Sequence, residues 1–272
     1  MAFQIRDIDE TQAPLLDHLI ELRSRLVRAV AAFAVAFAVC IYFADDIFGI
    51  LVRPLTAAFP AGEGRLVYTA LYEAFFVEIK VAMFAAFFVS FPIIANQLWA
   101  FIAPGLYSNE KKAFLPFLIA TPVLFTMGAS LAYFVVMPTA FRWFLGFQGV
   151  TGGLRQEALP AMGEYLSLVM QFILAFGASF LLPVLLMLLN RAGIVSREQL
   201  VTARRYVIVA VFAVSAVITP PDIISQLMLA IPLLILFEGS LLVMRFSENK
   251  AAKQEAAQAE EAVSTSDVPP PA

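Results

Sequence analysis

Six long stretches of this 272-residue chain carry almost no charge. At about 1.5 Å of rise per residue, about 20 apolar residues cross the hydrocarbon core of a bilayer as a helix. The first stretch is Ala29–Ala44, which reaches back past Arg28 to Leu26 and Val27. The second begins near Phe75 and is free of charge from Val81 to Asn109, too long for one helix, with a break expected at Pro104-Gly105. The third is Ala113–Phe141, expected to end before Pro138. Tyr165–Asn190, Tyr206–Pro221 and Ile223–Met244 follow, the last interrupted by Glu238. A lipid-exposed segment must satisfy its own backbone, which a single long run does as a helix. The alternating ten-residue segments of a membrane β-barrel are absent. Hydrophobic residues make up 61% and charged residues 14%, against roughly 25% charged in a soluble domain, so a soluble fold could not hide this chain's apolar surface.

The expected architecture is all-α: a polytopic integral membrane protein whose six spans lie at about 26–44, 75–98, 113–137, 164–190, 206–220 and 224–244. Residues 1–246 form the membrane domain, and 247–272, rich in Ala, Glu and Gln and ending Val-Pro-Pro-Pro-Ala, read as a disordered cytoplasmic tail. Arg23, Arg25 and Arg28 precede the first run as in a signal peptide, but no small-residue cleavage site follows, so it is read as a transmembrane helix. Lys and Arg set the orientation. Arg6, Arg23, Arg25, Arg28, Lys111, Lys112, Arg191, Arg197, Arg204, Arg205, Arg245, Lys250 and Lys253 fall on one side. The other side holds Arg53, Arg65, Arg142 and Arg155, with Lys80 inside the second run. Both termini are therefore expected in the cytoplasm. The fifth run, Tyr206–Pro221, is about 24 Å long as a helix, short of the roughly 30 Å core, and implies local thinning or cover by partner helices.

Cys40 and His18 are the only cysteine and the only histidine, which removes disulfide frameworks, His/Cys metal sites and imidazole-based hydrolysis. Polar groups at membrane depth are functional candidates by default. Glu73 and Lys80, seven residues apart, share a helix face near Glu78 and read either as a site or as a snorkelling cluster. Gln171 and Gln226 sit inside runs, where amides commonly join helices. Glu21 reads as an i,i+4 partner of Arg25, and Glu110 as a carboxylate favoured by the N-terminus of the third helix.

Several ordered stretches carry a resemblance. They are His18-Leu-Ile-Glu-Leu-Arg23; Gln97-Leu-Trp-Ala-Phe-Ile-Ala-Pro-Gly-Leu-Tyr107 with Glu110; Ala132-Tyr-Phe-Val-Val; Glu164-Tyr-Leu-Ser; Ala175-Phe-Gly-Ala-Ser-Phe; and Thr219-Pro-Pro-Asp-Ile-Ile-Ser-Gln226. In their order and spacing, over residues of about 14 to 246, the chain resembles the TatC family, the large subunit of the twin-arginine protein translocase. The resemblance implies a concave six-helix bundle in the bacterial inner membrane. It implies a receptor rather than an enzyme, one that binds the twin-arginine signal peptides of folded precursors and works in a multimeric TatBC-type complex. Single-span TatA-type and TatB-type proteins would be its partners and the proton-motive force its drive. No cofactor, metal or nucleic acid is expected. Glu21 and Glu110 map onto the family's two signal-reading glutamates, with Phe101, in the same inner loop, packing on the peptide and Arg23 either orienting Glu21 or helping to shape the loop. Pro54 maps onto the outer-loop proline and Tyr133 onto the third-helix tyrosine. Pro221, Asp222, Gln226 and Glu238 map onto the hairpin and helix where the partner helix docks, and Tyr133 is grouped with them. One departure stands out. Where many relatives carry a fourth-helix glutamate, this chain has Leu181, and Gln171 lies ten residues, about 15 Å, away on another face.

The carboxylate reading has a chemical basis, because a guanidinium fork matches a carboxylate in bidentate fashion and an ammonium does not. A proton-coupled small-solute carrier is the alternative, but internal repeats are not evident. A membrane protease lacks support, since His18 lies on the approach to the first span. No Walker-type glycine pattern appears.

Overall fold

The computed structural model describes residues 9–60, 64–106, 111–191, 193–219 and 222–266. They form ten α-helices and one two-stranded hairpin in the described residues. The chain divides into two compact units, residues 1–178 and 179–272.

In the first unit α1 (Asp9–Tyr42) descends, α2 (Ala44–Thr56) caps its far end and α3 (Glu73–Leu106) returns. Ala36 and Cys40 of α1 pack on Ala82 and Ala86 of α3, and these small side chains let the two backbones approach closely. Helix α4 (Lys111–Leu131) continues through a π turn (Ala132–Val136) into α5 (Met137–Leu145). The expected stop before Pro138 does not occur. Pro138 cannot donate to the carbonyl of Phe134, and the π turn absorbs that lost bond without ending the helix. Likewise α3 runs helical through Pro104 to Leu106 rather than breaking at Pro104-Gly105. Strands β1 (Gly149–Thr151) and β2 (Leu154–Gln156) pair antiparallel. Gly152 and Gly153 turn between them at φ of 61° and 83°, the left-handed geometry that a two-residue hairpin requires.

Helix α6 (Met162–Ser179) packs against α4 at Gly177. A Cβ there would lie 2.7 Å from Cε2 of Phe125, so only glycine fits. Phe125 itself stacks on Phe91 of α3 with ring centroids 4.0 Å apart. The expected single fourth helix is interrupted. Phe180 and Leu181 form a turn, because Pro183 has no N–H for the carbonyl of Ser179.

The second unit holds α7 (Leu182–Arg191), α8 (Arg197–Thr202), α9 (Arg204–Ile218) and α10 (Ile223–Ser266). Gly193, at φ 70°, ends α7, and Ser196 with Gln199 forms a capping box that starts α8. Phe237, Leu241 and Met244 of α10 pack with Leu200, with Leu182, Leu186 and Val207 around them. Helix α10 continues to Ser266, through residues expected to be disordered. Their Ala, Glu, Gln and Lys are strong helix formers that extend a helix already nucleated by packing.

Among the described residues five helical stretches are long and apolar enough to span a membrane: Leu19–Tyr42, Glu73–Phe101, Phe117–Leu145, Met162–Arg191 and Ile223–Phe246. The remaining expected span, the fifth at about 206–220, corresponds to α9, whose 15 residues rise only about 22 Å.

Candidate functional site

Glu21 and Arg25 share one face of α1, a helical turn apart. Nε and Nη2 of Arg25 donate to Oε1 of Glu21 at 2.9 and 2.5 Å. The pair is partly exposed, the side chains at 33% and 20% for Glu21 and Arg25 respectively. An i,i+4 pair of this kind contributes only about 0.3–0.5 kcal/mol, so it holds the carboxylate in place without locking it away. One turn further on, Arg28 donates to Oγ of Ser24 at 2.9 Å and reaches Oε1 of Gln97 on α3 at 3.4 Å. Arg23 is exposed on the same helix. Leu22, Arg25, Leu26, Gln97, Leu98 and Phe101 line a cleft of about 140 Å³ where these ends of α1 and α3 meet. The structure thus brings Arg25, the partner of Glu21, to one cleft with Phe101. The sequence placed Phe101 in the inner loop, but it sits in the last turns of α3, which runs helical to Leu106. Glu110 lies outside the described residues.

Sequence reasoning gave Trp99 no role. Its indole Nε1 donates to Oγ1 of Thr121 on α4 at 2.7 Å, and that hydroxyl donates to the carbonyl of Phe117 at 2.8 Å. Trp99 therefore ties α3 to α4. The signal was a tryptophan inside an apolar run, whose N–H must find an acceptor.

The opposite end of the first unit holds Pro54 and Tyr133. Pro54 is buried within α2 and offers no N–H to the carbonyl of Ile50. The hydroxyl of Tyr133 donates to that carbonyl at 2.6 Å, and Tyr165 of α6 donates to the carbonyl of Leu51 at 2.8 Å. Glu73, read from sequence beside Lys80, instead joins two connections. Its Oε1 accepts from the backbone N–H of Gly163 at 2.8 Å, and its Oε2 from that of Thr69 at 2.7 Å. Backbone bonds from Val67 to Pro160 and from Met162 to Val67 complete the seam.

In the second unit Asp222 caps α10, its Oδ2 accepting from the N–H of Ser225 at 2.6 Å. Gln226 donates to the carbonyl of Phe212 on α9 at 3.2 Å and so joins the two helices of the hairpin. Oδ1 of Asp222 and the hydroxyls of Ser215 and Ser225 are buried and have no hydrogen-bond partner among the described residues. Glu238 pairs with Arg204 at 2.7 Å. Arg204 is the first residue of α9, so Glu238 stands at the level where α9 begins. Leu181 lies in the turn before α7, and its carbonyl accepts from Leu185 at 3.0 Å. Pro221 lies outside the described residues.

Residues 17–232 match the family described as Sec-independent protein translocase protein (TatC). The chain belongs to the TatC family. It is 51% identical over 249 residues to the TatC protein of Magnetococcus marinus, covering 92% of this chain and 90% of that one. It is 40% identical over 248 residues to TatC of Escherichia coli strain K12, covering 91% and 94%. A crystal structure of a twin-arginine translocase receptor, TatC, in DDM superposes with a TM-score of 0.70 at 39% identity, over 83% of this chain and 98% of that one. As a TatC-family chain it is a polytopic helical membrane protein and a protein translocase component, whose family role is transport and not catalysis.

Proposed function

We propose that this chain is the signal-peptide receptor and core subunit of a twin-arginine translocase, exporting folded proteins with the proton-motive force. The observation that carries the proposal is the Glu21 carboxylate on α1, held by a weak ion pair beside a cleft that Phe101 of α3 lines. An ionised carboxylate has about four acceptor positions, so incoming guanidiniums can share Glu21 with Arg25 or displace it. Glu110, one residue before α4 in the sequence, supplies the second carboxylate. Phe101 packs on the peptide and Arg23 sets the field around Glu21.

The site faces the cytoplasm, and both termini lie there, since the chain's Lys and Arg concentrate on that side. The membrane is the bacterial inner membrane. TatA-type and TatB-type single-span proteins complete a multimeric TatBC-type complex. Their helices dock on the hairpin of α9 and α10 through Pro221, Asp222, Gln226 and Glu238, with Tyr133 and Pro54 shaping the outer side. What supports docking there is the shortness of α9 and the exposure of its Val209, Val214 and Val217. A partner helix would cover these side chains where the bilayer must otherwise thin.

Binding of a peptide with two adjacent arginines to membranes containing the full chain tests the site. Glu21→Ala or Glu110→Ala is expected to weaken capture, and so is replacing Arg-Arg by Lys-Lys in the peptide. Capture that both glutamate variants leave unchanged would sink the assignment.

A further inference from the structure

We infer that the turn of the α9–α10 hairpin holds an alkali metal cation, for which sodium is the probe, among oxygens of Ser215, Asp222 and Ser225. The inference is independent of the Glu21 reading. Polar side chains gather where α9 ends and α10 begins, and two of them have partners. Oγ1 of Thr219 donates to the carbonyl of Ser215 at 2.9 Å, and Gln226 donates to the carbonyl of Phe212 at 3.2 Å. Oγ of Ser215, Oδ1 of Asp222 and Oγ of Ser225 are buried without a hydrogen-bond partner among the described residues. The three residues are 0%, 5% and 0% exposed. Pro220 and Pro221, which join the helices, have no N–H to offer them.

The register of the hairpin brings these oxygens to one level. The bond from Gln226 to Phe212 fixes which turns of the two helices face each other. From that level Ser215 lies three residues nearer the turn, about 4.5 Å, Asp222 four residues, about 6 Å, and Ser225 is the neighbour of Gln226, about 1.5 Å away. All three fall within one helical pitch. The N–H of Ser225 donates to Oδ2 of Asp222 at 2.6 Å, which leaves Oδ1 as the open corner of that carboxylate. What the set lacks is positive charge. Asp222 is the only charged residue between Arg205 and Glu238, and Arg204, at the far end of α9, is taken by Glu238 at 2.7 Å. Water would satisfy the three oxygens but leave the buried carboxylate without a counter-charge, and buried charges are paired or coordinate metals. The prolines at 220 and 221 also leave the carbonyls of Ala216 and Val217 without the N–H groups that a continuing helix would supply. The end of α9 thus adds oxygens and partial negative charge. A carboxylate, hydroxyls and the freed carbonyls of a helix end make an oxygen set that suits sodium at membrane depth, and a single carboxylate gives too little charge for tight binding of calcium. The bound cation pins the end of α9 to the start of α10.

Sodium binding to the full chain, purified in detergent, tests the site. As sodium chloride replaces choline chloride at constant ionic strength, Tm is expected to rise by about 5 °C on reaching about a hundredfold excess over the dissociation constant. Radioactive sodium is expected to bind saturably, at about one ion per chain, and to be displaced by unlabelled sodium but not by choline. Asp222→Asn, whose side chain can still cap α10, is expected to abolish both signals. Ser215→Ala is expected to weaken sodium binding about tenfold. Ser240→Ala removes a buried hydroxyl that already donates to the carbonyl of Phe237, and the sodium affinity is expected to stay unchanged. A Tm equal in sodium and choline, with no saturable binding, would overturn the site and leave water alone with the three oxygens. Saturable binding that survives both Asp222→Asn and Ser215→Ala would place the cation elsewhere in the chain and overturn the site as well.

Discussion

Pro54 has no N–H for the carbonyl of Ile50, and the hydroxyl of Tyr133 takes the place of that missing donor. Removing the hydroxyl leaves the carbonyl without a partner, so Tyr133→Phe is expected to lower stability by about 1 kcal/mol, read as a drop in Tm in detergent. In a Pro54→Ala background residue 54 again carries an N–H, and the same change should cost much less. Equal losses in both backgrounds would show that the two residues act separately. Gly177 is a second position where single atoms decide. Gly177→Ala would press a methyl group into the ring of Phe125 at 2.7 Å, and destabilisation of about 1–3 kcal/mol is expected. Phe125→Leu should recover part of that loss, and a full loss in the double variant would contradict the packing argument. Both Pro54 and Tyr133 were legible as marked positions in the sequence. Their contact was not, because it joins residues far apart in the chain through a backbone carbonyl that no side-chain pattern reports. The Glu21–Arg25 pair was legible, since its partners lie one helical turn apart.

Helix positions were largely readable from charge-free runs, while their ends and breaks were not. Proline alone does not say whether a helix stops. Pro138 is absorbed by a π turn and Pro104 lies within α3, whereas Pro183 coincides with a real interruption at Phe180 and Leu181. The outcome depends on what neighbouring packing offers the freed carbonyl. Glu73 shows the same limit. Its place beside Lys80 suggested either a site or a snorkelling cluster, and it joins residues 69–70 to the start of α6 through backbone N–H groups. Glu73→Gln keeps the shape but brings an amide N–H against those donors. Tryptic cleavage at Arg155, in the nearby hairpin, is expected to quicken several-fold, and an unchanged rate would contradict the joining role. In the second unit, Glu238 faces the first residue of α9. A charge swap tests that contact: Arg204→Glu should lower Tm, and adding Glu238→Arg should restore it. The pair is half exposed, so its contribution is at most about 1 kcal/mol.

At the scale of the whole molecule, five long apolar helical stretches among the described residues, together with the short α9, account for the six charge-free runs. The scarce charges then carry the functional information, because an apolar helix surface distinguishes lipid from protein poorly. Glu21 stood out in the sequence through the stretch His18-Leu-Ile-Glu-Leu-Arg23, but the cleft beside it did not, since a cleft between α1 and α3 depends on how two helices cross. The reading of paired arginines by paired carboxylates is the central claim, and its signature is a preference for guanidinium over ammonium. The direct measurement is the affinity of the full chain, in membranes with its partners, for an Arg-Arg and a Lys-Lys peptide of otherwise identical sequence. It is repeated with Glu21→Gln and Glu110→Gln combined. A preference for Arg-Arg of about tenfold or more in the unaltered chain, falling close to one in the double variant, is the predicted result. A preference that survives the loss of both carboxylates would contradict it.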